Sequence, residues 1–283
     1  MSIITSPGST EPPIITSFSI IVTVSSLIQA GGRTGIEHSL NNIEQSLDYF
    51  RLNYPEGDRV NFDVVVVDDS PGDDPQPGLE RFVQTRSYYQ LIQWGTMGSG
   101  AARNLGANLA RGEALFFYSG ECHYLPEHFL MVWSVLNQPL PNLNVNHGKE
   151  YFGAVRTEIK FSSLLLPHQQ GFIAQNATFN LAVRREVHEF IGGFPEEDLF
   201  TTLAAIDQAY SIWVQQFCHL ARLNQTTVEY RPSSGSDWET CLAQAVTAPS
   251  PVQPGFAPVT TDAAIGQVIQ QRLQALQAKF APS

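Results

Sequence analysis

The residues best suited to chemistry follow a short apolar run in the middle of the chain. Ala114 to Tyr118 has the composition of a strand buried on both faces, and it ends abruptly in Ser119-Gly120-Glu121. Ligands of open α/β sheets sit beyond the carboxyl ends of the strands, so a carboxylate here can hold a metal ion or a phosphate-bearing ligand. The alternative is a loop that carries one solvated glutamate.

A second acidic turn follows another apolar run. Asp63 to Val67 reads as a buried strand, and Asp68-Asp69 comes directly after it. Aspartate also favours turns for purely structural reasons, so turn formation is the alternative to a binding role for both residues.

The elements around these turns alternate between strand and helix. A β-branched strand is predicted over 18–24 and a loop at 31–32, followed by a capping box at 34–37. The next helix carries apolar residues at a 4-3-4-3 spacing, from Ile36 to Phe50. This alternation predicts an α/β fold with a mainly parallel, doubly wound sheet flanked by helices.

The helix before the acidic turn is rich in small residues. Ala101, Leu105 and Leu109 recur at helical spacing, and Gly112 is expected to end the helix. Small residues on such a helix allow close packing against the sheet.

The second half of the chain continues with longer elements. The predictions are a helix from Pro126 to about Leu136, a polar loop over 137–149, a strand over 151–159, an amphipathic helix over 203–220 and a short strand over 227–231. A final helix, capped by Asp262, has one apolar stripe that must dock on its own chain or on a partner. Docking on its own chain is the expectation.

Composition excludes several classes of protein. The net charge of the 283 residues is −11, and the 16 basic residues are spread along the chain, which argues against a nucleic-acid surface and an anionic membrane surface. The three cysteines lie far apart without a CxxC pair, which favours a reducing, cytoplasmic setting. The apolar run over 14–28 is too polar to be a membrane span.

Four segments, in order, resemble the family 2 glycosyltransferases of the GT-A fold. They are FDVVVVDDSPGDD, GSGAARNLGANLARGE, FFYSGECHYLPEHF and NLAVRREVHEFIGGFPEE. No single motif is specific, but four at the family's spacing indicate the fold, and the resemblance covers roughly residues 17–232.

The resemblance implies a domain organisation. It places a glycosyltransferase-like domain at 17–243, with a nucleotide-binding half at 17–125 and an acceptor half at 126–243. A flexible lead-in is expected over 1–16, and a proline-rich linker with the last helix over 244–283.

The resemblance also implies a pocket for a nucleotide sugar, with UDP or GDP as its nucleotide. Thr23 and Ser25 fall where the end of the first strand contacts the base, although the aromatic residue that the family often has there is missing. Asp69 falls where a carboxylate accepts a hydrogen bond from the base. Arg103 falls near the path of the diphosphate, with a surface helix arginine as the alternative.

The family's Asp-x-Asp motif reads Ser119-Gly120-Glu121 here. In the family this motif holds Mg²⁺ or Mn²⁺, which neutralises the charge of the leaving diphosphate. Glu121 keeps the last carboxylate and is the expected metal ligand, whereas Ser119 offers only a hydroxyl. Cys122 and His123, adjacent in sequence, are expected to point in different directions and not to form a metal pair.

Asp207 falls at the position of the family's catalytic aspartate, and Ile206 replaces the glutamate before it. The resemblance therefore implies that Asp207 is the general base that deprotonates the acceptor hydroxyl. The alternative is an exposed helix aspartate, and Glu196, Glu197 or Asp198 would then be the next candidates.

Three functions are compatible with these observations. The first is an inverting glycosyltransferase that moves a sugar to a hydroxyl of a glycan or another acceptor. The second is a catalytically degenerate domain that binds a nucleotide or a partner protein, possible because several motifs depart from the family. The third, a nucleotidyltransferase, is disfavoured because the chain lacks a glycine-rich, lysine-containing loop after the first strand.

Overall fold

The architecture was obtained as a computed structural model, which describes residues 15–70, 77–140, 151–161, 165–232, Trp238, Leu242 and 263–279. Most of the lead-in, the greater part of the polar loop over 137–149, the proline-rich linker and Asp262 lie outside the described residues.

The centre of the fold is one sheet of eight strands in the order β3-β2-β1-β4-β7-β6-β8-β5. The strands are β1 (Ser17–Thr23), β2 (Asn61–Asp68), β3 (Tyr89–Gln93), β4 (Ala114–Tyr118), β5 (Cys122–Tyr124), β6 (Ala154–Phe161), β7 (Leu181–Arg184) and β8 (Leu220–Tyr230).

Eight α-helices among the described residues cover the sheet. They are α1 (Val24–Asn53), α2 (Pro77–Gln84), α3 (Ser99–Leu109), α4 (His128–Leu136), α5 (Pro167–Asn176), α6 (Arg185–Ile191), α7 (Leu203–Phe217) and α8 (Ala263–Ala278). A 3-10 turn, η1 (Gly57–Arg59), precedes β2.

The sheet is mixed, and its two halves differ. Strands β3, β2, β1 and β4 are all parallel, as the alternation of strands and helices predicted. Strand β7 then runs antiparallel to both β4 and β6, and β5 runs antiparallel to β8, so four of the seven pairings are parallel. The α/β prediction is therefore confirmed, with a more mixed second half.

Two apolar layers lie on the two faces of the sheet. On one face, Ile20 and Val22 of β1 belong to the cluster that includes α1, α2 and α4. On the other face, Ile21 belongs to the cluster formed with α3, α7 and α8. This alternation along one strand is expected when both faces of the sheet are covered.

The first helix begins earlier than the sequence predicted. Helix α1 follows β1 at Val24 and continues without a break through Gly31 and Gly32, so the expected loop and capping box are wrong. Each glycine costs a helix about 1 kcal/mol relative to alanine. The buried residues from Ile36 to Phe50 fix the rest of the helix and offset that cost.

Helix α3 exists as predicted, but with a different buried face. Gly106 rather than Leu109 faces the sheet, and a Cβ on Gly106 would lie 2.6 Å from Cγ2 of Ile21. Gly112 does not end the helix, which stops at Leu109. A Cβ on Gly112 would lie 2.2 Å from the carbonyl carbon of Phe18, so this glycine permits close contact with β1. Small residues, not the apolar spacing, set this interface.

Several elements were not predicted from the sequence, and others have bounds that differ from the predicted ones. The missed elements are short, namely α2, β3, β5, α5, β7 and α6. Helix α7 begins at Leu203 as predicted, but Leu220 opens β8 instead of extending the helix. Strand β8 is longer than predicted because its exposed first half has no clear apolar pattern.

The C-terminal helix α8 docks on its own chain. Ile265, Ile269 and Leu276 are buried in the cluster that contains Trp213 of α7. Arg272 donates two hydrogen bonds to the carbonyl oxygen of Ile191, at 3.0 and 2.6 Å, and its guanidinium lies 4.1 Å from the centre of the Trp213 ring. The apolar stripe is thus covered in cis, as expected.

Candidate functional site at the carboxyl edge of the sheet

The four parallel strands bring several of the predicted residues to one edge of the sheet. Thr23 is the last residue of β1 and pairs with Val67 of the neighbouring strand β2, immediately before Asp68. Val22 pairs with Tyr118, so Ser119 follows at the same level on the other side of β1. The first strand, the acidic turn and the residues after β4 therefore lie side by side, where ligands of such sheets bind.

Asp69 and Ser25 form a direct contact at this edge. The backbone N–H of Ser25 donates to Oδ1 of Asp69 at 2.9 Å, and the Ser25 hydroxyl donates to Oδ2 at 2.6 Å. Asp69 is buried, and Ser25 is half-buried. The first turn of α1 thus orients the carboxylate, and each carboxylate oxygen keeps capacity for another hydrogen bond.

Asp68 has a structural role in the turn. Its Oδ1 accepts hydrogen bonds from the backbone N–H and the hydroxyl of Ser70, at 3.2 and 2.5 Å. This is the turn-forming arrangement that the sequence left open as the alternative.

Trp94 lies at the same edge and was not singled out from the sequence. Its backbone N–H donates to the carbonyl oxygen of Asp68 at 3.2 Å, directly after β3, and 62% of the residue is exposed. It precedes Gly95, which adopts a φ of 73°. An exposed indole one residue from the end of a strand is a platform on which a planar base can stack. The sequence signal that could have identified Trp94 is a tryptophan directly before a glycine-rich turn.

Glu121 and Ser119 occupy the turn between β4 and β5. Both are buried, and the backbone N–H of Glu121 donates to the Ser119 hydroxyl at 3.3 Å. The carbonyl oxygen of Glu121 accepts from the backbone N–H of Arg231 at 2.8 Å. Arg231, a second residue that the sequence analysis missed, therefore lies beside the Ser119–Glu121 turn.

The Arg231 side chain is a partly exposed cation at this place. Its guanidinium pairs with Glu229, which also binds Lys160 at 3.1 Å. The hydrogen bonds from Arg231 and Lys160 lower the pKa of Glu229. The Arg231 side chain is 49% exposed, so it can also reach an anionic ligand.

The protein groups at this turn can supply only part of a metal site. In the described part of the chain, no three His, Cys, Asp or Glu side chains are grouped closely enough to hold a metal ion. The oxygens of Glu121 and Ser119 suit Mg²⁺, which is often bound by one or two carboxylates while phosphates and water complete its octahedron. These residues therefore fit an ion that arrives with a diphosphate and not an ion held by protein alone.

Cys122 and His123 point to different partners, as the sequence predicted. The Cys122 thiol donates to the carbonyl oxygen of Ser119 at 3.0 Å, whereas Nε2 of His123 lies 3.2 Å from Nδ2 of Asn42. Burial is the main reason that the pKa of His123 is lowered, and the positive charge of Arg231 adds to it.

Arg103 and Asp207 form a buried ion pair. Asp207 also accepts hydrogen bonds from the backbone N–H of Thr178 at 3.1 Å and from its hydroxyl at 2.9 Å. The two charged side chains are 2% and 1% exposed. Both oxygens of Asp207 are thus engaged, and neither the exposed aspartate nor the surface arginine of the alternatives is observed.

The helix that carries Arg103 also docks on the Gly-Gly-Phe segment. The side chain of Asn104 accepts from the backbone N–H of Phe194 at 2.8 Å and donates to its carbonyl oxygen at 3.1 Å. A Cβ on Gly100 would lie 2.0 Å from the carbonyl oxygen of Pro195, so only glycine fits there. Two segments that are 90 residues apart in sequence are joined by these contacts.

The predicted site residues therefore fall into two groups. Thr23, Ser25, Asp69, Ser119 and Glu121 line the carboxyl edge, and Arg103 with Asp207 forms a buried pair behind it.

The mixed eight-stranded sheet flanked by helices is a fold that the chain shares with solved glycosyltransferase structures. Among solved structures, the chain is similar to S. aureus TarS 1–349, with a TM-score of 0.56 and 17% sequence identity over 94% of this chain and 72% of that one. It is also similar to the same fragment in complex with UDP-GlcNAc, with a TM-score of 0.58 and 16% identity over 91% and 71% of the two chains. The chain spans 43% of the longer TarS structure.

No family model matches the sequence, and no curated protein matches it. Within the described ranges, no helix has both the length and the apolar character that crossing a membrane requires.

Proposed function

We propose that the chain is a nucleotide-sugar-dependent glycosyltransferase of the family 2 type, which transfers a sugar to a hydroxyl acceptor with inversion. The observation that carries this proposal is the meeting of the acidic turn, the Ser119–Glu121 turn and the Arg103 helix around the carboxyl edge of four parallel strands. The likeness to a structure with bound UDP-GlcNAc supports a UDP-sugar as the donor.

The base of the nucleotide is assigned to the Asp69 region. Asp69, held by Ser25, accepts a hydrogen bond from the base, and Trp94 offers its exposed ring for stacking. Trp94 thereby takes the place of the aromatic residue that the first strand lacks. Thr23, which is buried at the end of β1, supports the same wall of the pocket.

The diphosphate is assigned to the turn after β4. Glu121, with Ser119, would hold a divalent cation that neutralises charge on the leaving nucleoside diphosphate. Arg231 offers a cation beside this turn, whereas the charge of Arg103 is balanced by Asp207 in the buried pair. The guanidinium of Arg231 would neutralise part of the diphosphate charge that a weakly held metal ion leaves uncompensated.

Asp207 remains our proposed general base, and its contacts set a condition for that role. Its oxygens take hydrogen bonds from Arg103 and Thr178, so the acceptor hydroxyl can reach it only if one of these bonds is exchanged. If this exchange does not occur, Asp207 is a positioning residue that holds Thr178 and Arg103. The exposed acids Glu196, Glu197 and Asp198 are then the next candidates.

One observation favours a second function, that of a nucleotide-binding module without transfer. The acid at the catalytic position is fully buried and engaged, and the metal motif keeps one carboxylate. Such a domain would bind UDP or a UDP-sugar at the same edge and release no product.

Two assays on the full chain separate these functions. Thermal shifts with UDP, GDP and UDP-GlcNAc, with and without Mn²⁺, test donor binding, and Glu121→Gln should remove only the gain that Mn²⁺ provides. Release of UDP from UDP-GlcNAc, with and without glycan acceptors, tests transfer. Binding with release above the uncatalysed rate supports the glycosyltransferase, and binding without release supports the module. Absence of any shift contradicts both.

A further inference from the structure

A second polar cavity lies away from the carboxyl edge, between α5 and the strands β6 and β8. Its volume is about 390 Å³, and its charged wall residues among the described positions are Arg156, Glu158 and Arg222. A cavity of this size is in the range of small-molecule sites. None of these residues takes part in the proposed transfer reaction.

Arg156 is a buried cation whose hydrogen bonds go to neutral acceptors. Its Nη1 atom donates to the carbonyl oxygen of Ala177 at 2.7 Å and to Oδ1 of Asn180 at 3.0 Å, and its Nη2 atom donates to the Ser211 hydroxyl at 3.0 Å. The residue is 3% exposed. No carboxylate of the described residues lies within ion-pair distance of this guanidinium.

The remaining donor of Arg156 has no acceptor. Its buried Nε–H lacks a hydrogen-bond partner among the described residues, and a buried unsatisfied donor of a charged group is costly. The Thr157 hydroxyl is also without such a partner. Both residues line the cavity, and we assign the charged donor of Arg156 to its ligand.

The second arginine makes the wall electropositive. Arg222 is exposed, and its only described polar contact is a 3.5 Å hydrogen bond to Gln215. Burial and, to a smaller extent, the charge of Arg222 lower the pKa of Arg156 to about 9 against the opposing charge of Asp207, so Arg156 remains cationic at neutral pH. With Glu158 as the one acid, the cavity carries a net charge of about +1 in a chain whose net charge is −11.

We propose that this cavity is an anion-binding site for a small ligand that carries a phosphate or a carboxylate group. The guanidinium of Arg222 and the unused donor of Arg156 would bind its oxygens, since planar guanidinium groups match both anions. The exposed carboxylate of Glu158 opposes the binding and limits its strength. The inference does not depend on the proposed transferase function.

The experiment titrates the full chain with inorganic phosphate and, separately, with acetate, against chloride at equal ionic strength. The readout is the melting temperature together with the ¹⁵N-edited NMR signals of arginine Nε–H groups. Phosphate or acetate should raise the melting temperature and move one buried Nε–H signal, which Arg156→Lys identifies. A response to only one probe assigns the ligand class, and a response to both assigns an anion of either kind.

Variants of exposed residues keep the test independent of folding. Arg222→Gln should raise the half-saturation concentration about tenfold, and Glu158→Gln should lower it about twofold. Arg59→Gln, an exposed arginine on η1, is the matched control and should have no effect.

Two results would overturn the inference. One is that the parent protein responds to neither phosphate nor acetate, which would mean that the cavity holds only water. The other is an equal response of the parent and Arg222→Gln, which would place the bound anion elsewhere.

Discussion

Replacing Asp207 by asparagine should destabilise the protein strongly, even before any catalytic effect is considered. The substitution keeps the shape of the side chain and an oxygen that can accept from the Thr178 N–H. It leaves the charge of Arg103 buried without its partner, because both side chains of the pair are at most 2% exposed. Removing one member of a buried ion pair typically costs about 3–5 kcal/mol.

The size of the effect can be read from urea unfolding followed by far-UV circular dichroism at pH 7.5. A loss of about 3–5 kcal/mol corresponds to a fall in melting temperature of roughly 6–20 °C for a chain of this length. Asp48→Asn is the matched control, because Asp48 pairs with Arg51 at the surface and exposed pairs contribute about 0–1 kcal/mol.

The double variant Arg103→Met with Asp207→Asn isolates the charge effect. It buries no unpaired charge, so it should recover at least half of the lost stability, in line with the behaviour of buried pairs replaced as a unit. The reasoning is refuted if Asp207→Asn costs less than about 1 kcal/mol, or if the double variant is as unstable as the sum of its two single variants.

Three further predictions concern other parts of the fold. Trp94→Ala should weaken UDP binding about tenfold in calorimetry while leaving the melting temperature unchanged, because the exposed ring supports only the ligand; equal affinity would exclude stacking. Burial lowers the pKa of His128 to about 3, below its unfolded value near 6.5, so the neutral form is favoured in the fold. The contribution of the neutral imidazole to the free energy of unfolding is complete above pH 6.5. It is lost as the pH falls toward 3, and the loss amounts to about 2 kcal/mol at pH 5. Urea midpoints at pH 7.5 and 5.0 should therefore lie closer together in His128→Phe than in the parent, with the remaining difference due in part to the similarly buried His188, and an unchanged acid loss would contradict this. Ile269→Asp on α8 should lower the unfolding free energy by several kcal/mol, because it removes a buried apolar side chain and buries an unpaired charge. The exposed Gln270→Asp should lower it by less than about 0.5 kcal/mol. Equal effects of the two variants would show that α8 does not pack on the core.

The parts of the fold that sequence predicted well have strong local signals. Strands β2 and β4 are continuous apolar runs, and α7 has a long apolar stripe with Thr202 as its N-cap, where the hydroxyl accepts from Ala205 N–H at 3.3 Å. Strand β7 has only four residues, and its pairing with β4 and β6 depends on distant segments. Such a strand has too little pattern of its own to be predicted.

The sheet edge was predictable from the sequence, whereas the contacts at that edge were not. The edge followed from where the apolar strands end, which places Asp69 and Glu121 there. The pairing of Arg103 with Asp207 spans 104 residues, and no local pattern records it. Arg231 stayed unnoticed because its place beside Glu121 depends on the antiparallel pairing of β5 with β8.

The most direct test of the central claim is calorimetric titration of UDP-GlcNAc into the parent protein, Asp69→Asn and Asp48→Asn. Asp69 is oriented toward its proposed role by two hydrogen bonds from Ser25, whereas Asp48 is an exposed aspartate of α1. We predict measurable binding to the parent and to Asp48→Asn, and a dissociation constant at least about tenfold higher for Asp69→Asn, the loss expected for one hydrogen bond to a charged group. Absence of binding to the parent, or equal affinity of all three proteins, would contradict a nucleotide-sugar site at the carboxyl edge of this sheet.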